Sequence, residues 1–371
     1  MNTIKKITKK LPLIVTDIDG VLVFDGKPVL KQRQTLKILR QPLNKLNKDQ
    51  FYNDERQLPL IFLTNNCNRN MLEQEKADQL NEQFHLDPLS IYGLKEQNII
   101  LNYTAIRPYA EQHQNDLIMI TGVEDMDKLV DIWGIKKYIT LLEYAALFPD
   151  LNPISKRTEE DRLKTKDIIQ KRLPFLKDSD FDYPFKIDAV FVLGDCISWN
   201  EHIQILCDLM SSEDGNIPRH RPTKAPKTNI PIYWANNSAM YRSNQQIPRL
   251  GCGMLKIGLD QAYQTMFGEN TDDRIQLFGK PQKSSFEFAS KLGQEQTDYE
   301  ISNTYMIGDS IYTDINGANQ FGWETILIRT GLHKRLTDNI KEGNPAKYVV
   351  RDFEEAIKLI FKIEGLNYQY H

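Results

Sequence analysis

Leu13 to Leu22 read LIVTDIDGVL, and the interpretation of the rest of the chain starts from this stretch. Its apolar start leads to two aspartates two positions apart, Asp17 and Asp19, and then to Gly20. A short apolar run bounded by a glycine is typical of a buried strand in a parallel sheet. Ligands of open α/β sheets bind beyond the carboxyl ends of the strands, so both aspartates stand where an active site is expected. Because like charges this close oppose each other's ionisation, the stretch predicts a metal ion, a lysine, a shared proton or a combination of these beside them.

An Asp-x-Asp on its own is a weak motif, and an acidic turn after a strand is the more ordinary explanation. Three further apolar runs favour a functional interpretation, because each of them also ends in polar side chains. They span residues 60–64, 275–278 and 304–307, and a helical pattern follows each one. The polar residues at or after these ends are Thr64, Asn65, Lys280, Asp309 and, five positions on, Asp314.

Strands that alternate with helices predict an α/β protein with a parallel main sheet. From about Leu94 the pattern changes, and strands are predicted at residues 116–121, 187–193 and 232–235. We interpret this part as a second α/β module inserted into the first. The predicted division is residues 1–94 and 253–371 for the Rossmann-like core and residues 95–252 for the insert.

Two local signals predict the structure that follows the first strand. Asp25-Gly26 is a favoured hairpin turn and predicts two short strands between residues 21 and 30, a flap beside the expected site. Leucines at helical spacing predict a helix over residues 31–46, which Pro42 is expected to break.

Composition narrows the class of protein. The chain has 371 residues, 40% of them hydrophobic and 26% charged, as in ordinary soluble domains. A formal charge of -3 argues against a general role in binding nucleic acid or a membrane surface. No apolar run approaches the length of a membrane span. We therefore expect neither a nucleic-acid partner nor a membrane partner.

The first ten residues, MNTIKKITKK, lack the apolar stretch of a secretory signal, so we expect an intracellular, cytoplasmic protein. Lysines in this leader leave mitochondrial import open; they are Lys5, Lys6, Lys9 and Lys10. The four cysteines are widely spaced and never form a Cys-x-x-Cys pair, which favours reduced, structural thiols. They are Cys67, Cys196, Cys207 and Cys252.

The strand ends carrying Asp17 and Asp19, Thr64, Lys280, and Asp309 with Asp314 resemble the four motifs of the haloacid dehalogenase superfamily. Thr64-Asn65-Asn66, the long insertion before Lys280 and the Gly-Asp-x-x-x-x-Asp pattern look like its class IIA, whose members are mostly phosphatases. PRLGCG at residues 248–253 is similar to the haloacid dehalogenase-like hydrolase domain-containing 5 branch. The resemblance covers nearly the whole chain and implies a core with an inserted α/β cap domain.

The resemblance also implies a role for each residue. Asp17 is expected to be the nucleophile that forms an aspartyl phosphate, and Asp19 the acid and then the base. Mg2+ is expected to be held by Asp17, Asp309 and the backbone carbonyl of Asp19, with Asp314 orienting a metal-bound water or Lys280. The phosphoryl oxygens are expected to contact Thr64, the backbone N–H of Asn65, and Lys280.

These roles predict a Mg2+-dependent phosphatase acting on a small phosphorylated metabolite. The alternative from another class is a non-catalytic binding or scaffold protein that kept the pocket. Phosphoryl transfer to an acceptor other than water, and phosphonate cleavage, also stay open. Asn236, in the insert, is a candidate substrate contact although the resembled branch has Asn-Pro-Asp where this chain has Asn236-Asn237-Ser238. Class IIA relatives often pair through their caps, so a homodimer is possible.

Overall fold

The computed structural model describes residues 10–46, 55–66, 71–122, 127–220, 222–227, 230–241, 247–332, 339 and 343–369. Cys67 and the lysines at positions 5, 6 and 9, named above, lie outside these residues. Cys196, Cys207 and Cys252 are buried, unpaired thiols. None of the described helices is both long enough and apolar enough to cross a lipid bilayer.

The chain alternates strands and helices, as the sequence predicts. The strands are β1 (Lys10–Thr16), β2 (Val23–Phe24), β3 (Lys27–Pro28), β4 (Leu60–Leu63), β5 (Ile99–Ile100), β6 (Ile118–Thr121), β7 (Tyr138–Thr140), β8 (Ala189–Val192), β9 (Ile232–Trp234), β10 (Met240–Tyr241), β11 (Arg249–Leu250), β12 (Ile275–Leu277), β13 (Glu300–Gly308), β14 (Glu324–Ile328) and β15 (Tyr348–Val350). The α-helices are α1 (Gln32–Leu39), α2 (Leu43–Leu46), α3 (Glu73–Gln83), α4 (Arg107–Gln112), α5 (Asp127–Ile132), α6 (Leu141–Leu147), α7 (Glu159–Arg172), α8 (Trp199–Met210), α9 (Cys252–Phe267), α10 (Lys283–Glu295), α11 (Asn316–Gln320) and α12 (Phe353–Ile363).

Six parallel strands form the first sheet, in the order β15-β14-β13-β1-β4-β5. β1 lies between β13 and β4, and the register sets Thr16 beside both Ile307 and Phe62. These three strands therefore end at the same level. The residues that follow them meet at one edge of the sheet, the edge where α/β proteins bind ligands.

The first sheet is apolar on both faces. Ile14 packs into one core, while its neighbours Leu13 and Val15 pack into another with Phe286 of α10. This alternation follows from the pleat of a strand, whose successive side chains point to opposite faces. Helices cover both faces, which is why the central strands read as unbroken apolar runs.

Five parallel strands form the second sheet, in the order β12-β9-β8-β6-β7. Val190 and Trp234 face a core that includes residues of α6, α8 and α9. Phe191 and Tyr233 face the opposite way and join the core of the first sheet. The predicted inserted α/β module thus has its own sheet, with a separate core on one face, while the other face joins the core of the first unit.

One strand, β12, belongs to the second sheet, although the sequence predicts it in the first. We expected residues 275–278 to rejoin the core, but β12 pairs in parallel with β9, Ile275 beside Ile232 and Leu277 beside Trp234. A strand of only three residues fits the edge of either sheet, so its sequence does not determine which strand it pairs with. β5, which the division assigned to the insert, pairs with β4 of the first sheet. We propose that the junctions follow Ile100 and Leu277.

Both local predictions after β1 are confirmed. β2 and β3 pair antiparallel, and Asp25 and Gly26 between them have φ of 53° and 72°, as a two-residue hairpin turn needs. The predicted helix is divided into α1 and α2 on either side of Pro42. Ring closure fixes the backbone of proline and removes its N–H, so the helix is interrupted there.

Candidate active site

Lys280 lies between two carboxylates that are distant in sequence. Its Nζ is 2.9 Å from Oδ1 of Asp17 and 2.7 Å from Oδ1 of Asp314. The residue is only 1% exposed. Burial opposes the charge of Lys280, but the two carboxylates outweigh it and hold the pKa of the amine above its usual value. The lysine is therefore a fixed cation in the site.

Asp314 has a partner for each of its carboxylate oxygens. Oδ1 contacts Lys280, and Oδ2 accepts the backbone N–H groups of Asp309 and Ser310, both at 3.1 Å. The residue lies in a π-helical turn, Ile311–Ile315, directly after β13. Gly308 allows this approach, because a Cβ at that position would lie 2.2 Å from the Cβ of Asp314. Asp314 thus connects the end of β13 to the lysine.

Three buried carboxylates converge at this edge of the first sheet. Asp17, Asp309 and Asp314 each offer an oxygen within 4.8 Å of the others. Burial, reinforced by the neighbouring acids, raises the pKa of Asp17 well above its usual range. It raises the pKa of Asp309 to about 7. Within the described part of the chain, Lys280 balances one of these three negative charges.

The chain leaves room for the Asp309 carboxylate by placing glycines beside it. A Cβ at Gly20, which has φ of 82°, would lie 2.2 Å from Oδ2 of Asp309, and one at Gly331 would lie 1.6 Å from it. The same oxygen accepts the backbone N–H of Leu332 at 2.8 Å. Oxygen ligands of this kind are the ones that hard divalent cations prefer. The donor set of the site therefore fits a metal such as Mg2+.

Asp19 and Thr64 lie beside this cluster. Asp19 is half-buried, and Oδ2 accepts the side-chain amide of Asn66 at 3.1 Å. Thr64 is buried, and its hydroxyl accepts the backbone N–H of Asn66 at 3.0 Å. Asn66 therefore connects the ends of β1 and β4.

Asn65 holds the backbone around Lys280 with its side chain. Oδ1 accepts the N–H of Lys280 at 2.7 Å, and Nδ2 donates to the carbonyl of Lys280 at 2.7 Å and to the hydroxyl of Ser238 at 2.9 Å. The sequence predicts that Asn65 contacts phosphoryl oxygens; it does not predict these side-chain bonds to Lys280 and Ser238. The spacing within Thr64-Asn65-Asn66 marks the strand end but carries no signal for a partner 215 residues away.

Asn236 has a different environment from the other candidates. Its Oδ1 accepts the N–H of Ser238 at 2.9 Å, and its carbonyl accepts the indole N–H of Trp234 at the same distance. These bonds shape the loop after β9 rather than joining the acidic cluster. Ser238, which we had not singled out, is the residue of this loop that contacts Asn65.

Two family models match separate parts of the chain. The model for haloacid dehalogenase-like hydrolases matches residues 14–136, and a HAD-hydrolase-like model matches residues 277–356. The first match includes Asp17, Asp19 and Thr64, and the second includes Lys280 and Asp309. The chain belongs to the haloacid dehalogenase-like hydrolases.

Three individual proteins match more than nine tenths of the chain. A mitochondrial hydrolase of Saccharomyces cerevisiae is 24% identical over 96% of this chain and 97% of its own. The structure of a p-nitrophenyl phosphatase from Archaeoglobus fulgidus has a TM-score of 0.55 and 16% identity, covering 95% of this chain and 99% of that one. A glycerol phosphate phosphatase from Mycobacterium tuberculosis in complex with magnesium has a TM-score of 0.52 and 16% identity, covering 93% and 75%. At these identities the structures establish the haloacid dehalogenase fold for this chain.

Proposed function

We propose that this chain is a Mg2+-dependent phosphatase that hydrolyses a small phosphorylated metabolite through an aspartyl phosphate. The observation that carries the proposal is the position of Asp17. Its carboxylate is at the carboxyl end of the central strand, 2.9 Å from the Lys280 amine and grouped with Asp309. A candidate nucleophile, a fixed cation and a second acid are thus grouped at one end of the sheet.

Asp17 and Asp309 would hold Mg2+ together with the backbone carbonyl of Asp19. Both oxygens of Asp314 already have partners, which supports an indirect role for that residue. When bound, the ion would offset negative charge in the pocket and polarise the phosphoryl group. This assignment accounts for the excess of buried carboxylates over cations.

Asp17 and Asp19 would divide the bond changes between them. A carboxylate oxygen of Asp17 attacks phosphorus, the ester P–O bond breaks, and the departing oxygen takes a proton from Asp19. Asp19 then removes a proton from water, which attacks the same phosphorus and releases phosphate and the free Asp17 carboxylate. The greater exposure of Asp19, which is half-buried, suits a group that exchanges protons with substrate and water.

Thr64, the N–H of Asn65, and Lys280 would contact the phosphoryl oxygens during transfer. Four carboxylates, Lys280 and Mg2+ leave the site near -1, or near zero when Asp19 is protonated. Without the ion the charge is near -3, and a phosphate dianion would be repelled. Chelation is therefore expected to abolish turnover rather than to slow it.

The matched hydrolase of Saccharomyces cerevisiae is named as mitochondrial. This supports a mitochondrial over a cytoplasmic location for the present chain, and the lysine-rich leader is compatible with import. Localisation of a fluorescent fusion of the full sequence distinguishes the two. Pairing through the insert and membership of the domain-containing 5 branch stay predictions.

Hydrolysis of 4-nitrophenyl phosphate tests the proposal against a non-catalytic binding role. We expect Mg2+-dependent turnover by the wild type, none after chelation, and none in Asp17→Asn when circular dichroism shows that this variant is folded. A rate that Asp17→Asn leaves unchanged would assign the hydrolysis to another site or to a contaminant. Failure of the folded, Mg2+-loaded wild type on a broad set of phosphate esters would favour the binding role.

Asp19→Asn separates the role of the acid from that of the nucleophile. 4-Nitrophenolate leaves without protonation, whereas an alkoxide does not. We therefore expect a larger loss of kcat with an alkyl phosphate than with 4-nitrophenyl phosphate, by about 10²-fold or more. Equal losses on the two substrates would remove Asp19 from the acid role.

A further inference from the structure

A cavity of about 240 Å³ lies at the amino-terminal ends of strands of the first sheet, whereas the active site lies at their carboxyl ends. Its lining comes from the residue that follows α1, from the segment before β4, from the loop before β5 and from the segment before β13. The lining residues are Arg40, Glu55, Arg56, Gln57, Leu58, Ser90, Ile91, Gly93, Lys95, Gln97 and Gln296. β4 separates this end of the sheet from Thr64 by four residues, or about 13 Å of strand. The cavity is therefore distinct from the catalytic pocket.

Arg40 is an unusual residue in this lining. It is only 6% exposed, and its Nε has no hydrogen-bond partner within the described chain. Burial lowers the pKa of its guanidinium to about 10, and among the described residues no acid raises it again. Burying a cation without an anion is strongly unfavourable, so such a group is expected to have a ligand.

The end of α1 explains part of this environment but not all of it. A cation that follows a helix interacts favourably with the carbonyl groups of the last turn. That interaction leaves the Nε–H of Arg40 without an acceptor. Guanidinium groups present several N–H donors in a plane that matches carboxylate and phosphate oxygens. An oxyanion in the cavity would balance the charge of the Arg40 guanidinium, which belongs to the lining.

The lining has more positive than negative side chains, and hydrogen bonds connect its walls. Arg56 forms an ion pair with Asp298 at 2.6 Å. Among the other charged residues of the lining, the cations Arg40 and Lys95 outnumber the single acid Glu55. Gln57 donates to the carbonyl oxygens of both Arg40 and Ile91. The cavity walls are therefore tied together by hydrogen bonds.

We propose that this cavity binds a small oxyanion, the phosphate or carboxylate group of a free metabolite, with Arg40 as its main contact and Lys95 at its mouth. The volume accommodates such a group, because one water takes about 30 Å³ of liquid. Anion binding would join the end of α1, the segment before β4 and the loop before β5. The site is independent of the proposed phosphatase chemistry.

Selenate is a suitable probe, because selenium is located by anomalous scattering. Crystals of the Mg2+-loaded full chain are soaked in selenate, and titration calorimetry measures its affinity for the wild type, Arg40→Met and Arg33→Met. Arg33 is the matched control, since it is on α1, its Nε also lacks a partner within the described chain, and it does not line the cavity. A parallel titration with malonate distinguishes carboxylate from phosphate-like ligands.

We expect an anomalous peak within hydrogen-bond distance of the Arg40 guanidinium, in addition to any peak beside Lys280. Arg40→Met should lower the affinity for the cavity at least tenfold, whereas Arg33→Met should leave it unchanged. Absence of a peak beside Arg40 at millimolar selenate, or unchanged affinity in folded Arg40→Met, overturns the proposal. If Arg40→Met does not fold, the wild-type anomalous map decides alone.

Discussion

Lys280 shows how a single side chain determines the ionisation of its neighbours. Its amine balances part of the charge of Asp17 and Asp314, but Asp309 keeps a raised pKa because burial and the nearby acids outweigh the lysine. Among the described residues, the three buried acids therefore carry two negative charges more than Lys280 balances. A divalent ion would complete the balance, since metal binding requires deprotonated carboxylates and competes with protons for them.

This imbalance predicts how the stability of the metal-free protein varies with pH. Asp309 has a pKa of about 7 in the folded chain and 3.8 as its ordinary value. Between about pH 4 and pH 7 the folded state binds a proton that the unfolded state has released, so stability falls as pH rises. Thermal unfolding in excess chelator should show the melting temperature decreasing across this range, and added Mg2+ should reverse the decrease.

Asp309→Asn provides the control for other groups that titrate in the same range. An amide keeps the shape of the carboxylate but does not ionise, so the pH slope in chelator should be smaller than that of the wild type. An equal slope in both proteins would show that other groups cause the dependence. A melting temperature that rises from pH 4 to pH 7 in the metal-free wild type would contradict the prediction.

At the scale of elements, two glycines after β1 separate the effect of backbone strain from that of site geometry: Gly20 precedes β2, and Gly26 is in the hairpin turn. Gly20 and Gly26 have φ of 82° and 72°, so alanine at either position is strained by about 1 kcal/mol. Only at Gly20 would the new Cβ meet Asp309, at 2.2 Å; at Gly26 nothing lies within 4 Å. Gly20→Ala should displace Asp309 and lower Mg2+-dependent turnover about 10²-fold, because an error near 1 Å can cost that much.

Gly26→Ala should unfold at a similarly reduced temperature yet keep nearly wild-type turnover. Comparison of kcat and melting temperature for the two variants tests this directly. Equal losses of turnover would mean that the hairpin conformation, and not the space beside Asp309, limits activity.

The elements also show where sequence patterns stop being informative. β1, β4 and β13 were predictable because apolar runs buried on both faces are distinctive, and the polar residues after them identified Asp17, Thr64 and Asp309. β12 was predictable as a strand but not as a member of the second sheet, because pairing depends on tertiary neighbours. β5 and β7 have two and three residues, too few to show a period.

The contacts of single side chains were less predictable than the elements. Oδ2 of Asp314 accepts N–H groups four and five residues away, which its spacing after Asp309 suggests. The bonds from Asn65 to Lys280 and Ser238 span 215 and 173 residues and leave no local pattern. The unpaired nitrogen of Arg40 is visible only once the burial of each atom is known.

For the whole molecule, Asn65 connects the two units at the active site. It bonds to the backbone of Lys280 on one side and to Ser238, in the loop after β9, on the other. Gly251 and Gly253, before and within α9, pack closely on this loop, since a Cβ on either would lie within 2.6 Å of a loop carbonyl. Asn65 is therefore a contact between the insert and Lys280, in addition to β12, which pairs with β9 and leads into this lysine.

A double-mutant cycle of Asn65→Ala and Ser238→Ala measures this connection. Ser238→Ala alone should lower kcat/KM for 4-nitrophenyl phosphate by up to about tenfold, because one hydrogen bond contributes about 0.5–1.5 kcal/mol. Asn65→Ala should cost more, since it also frees the backbone of Lys280. In the Asn65→Ala background Ser238→Ala should have almost no further effect, because the two side chains act through the same contact.

Ser155→Ala is the matched control. The Ser155 hydroxyl accepts the side-chain amide of Asn200 at the same 2.9 Å within the insert, and its removal should leave kcat/KM unchanged. Additive losses in the cycle would mean that the insert and the lysine act independently.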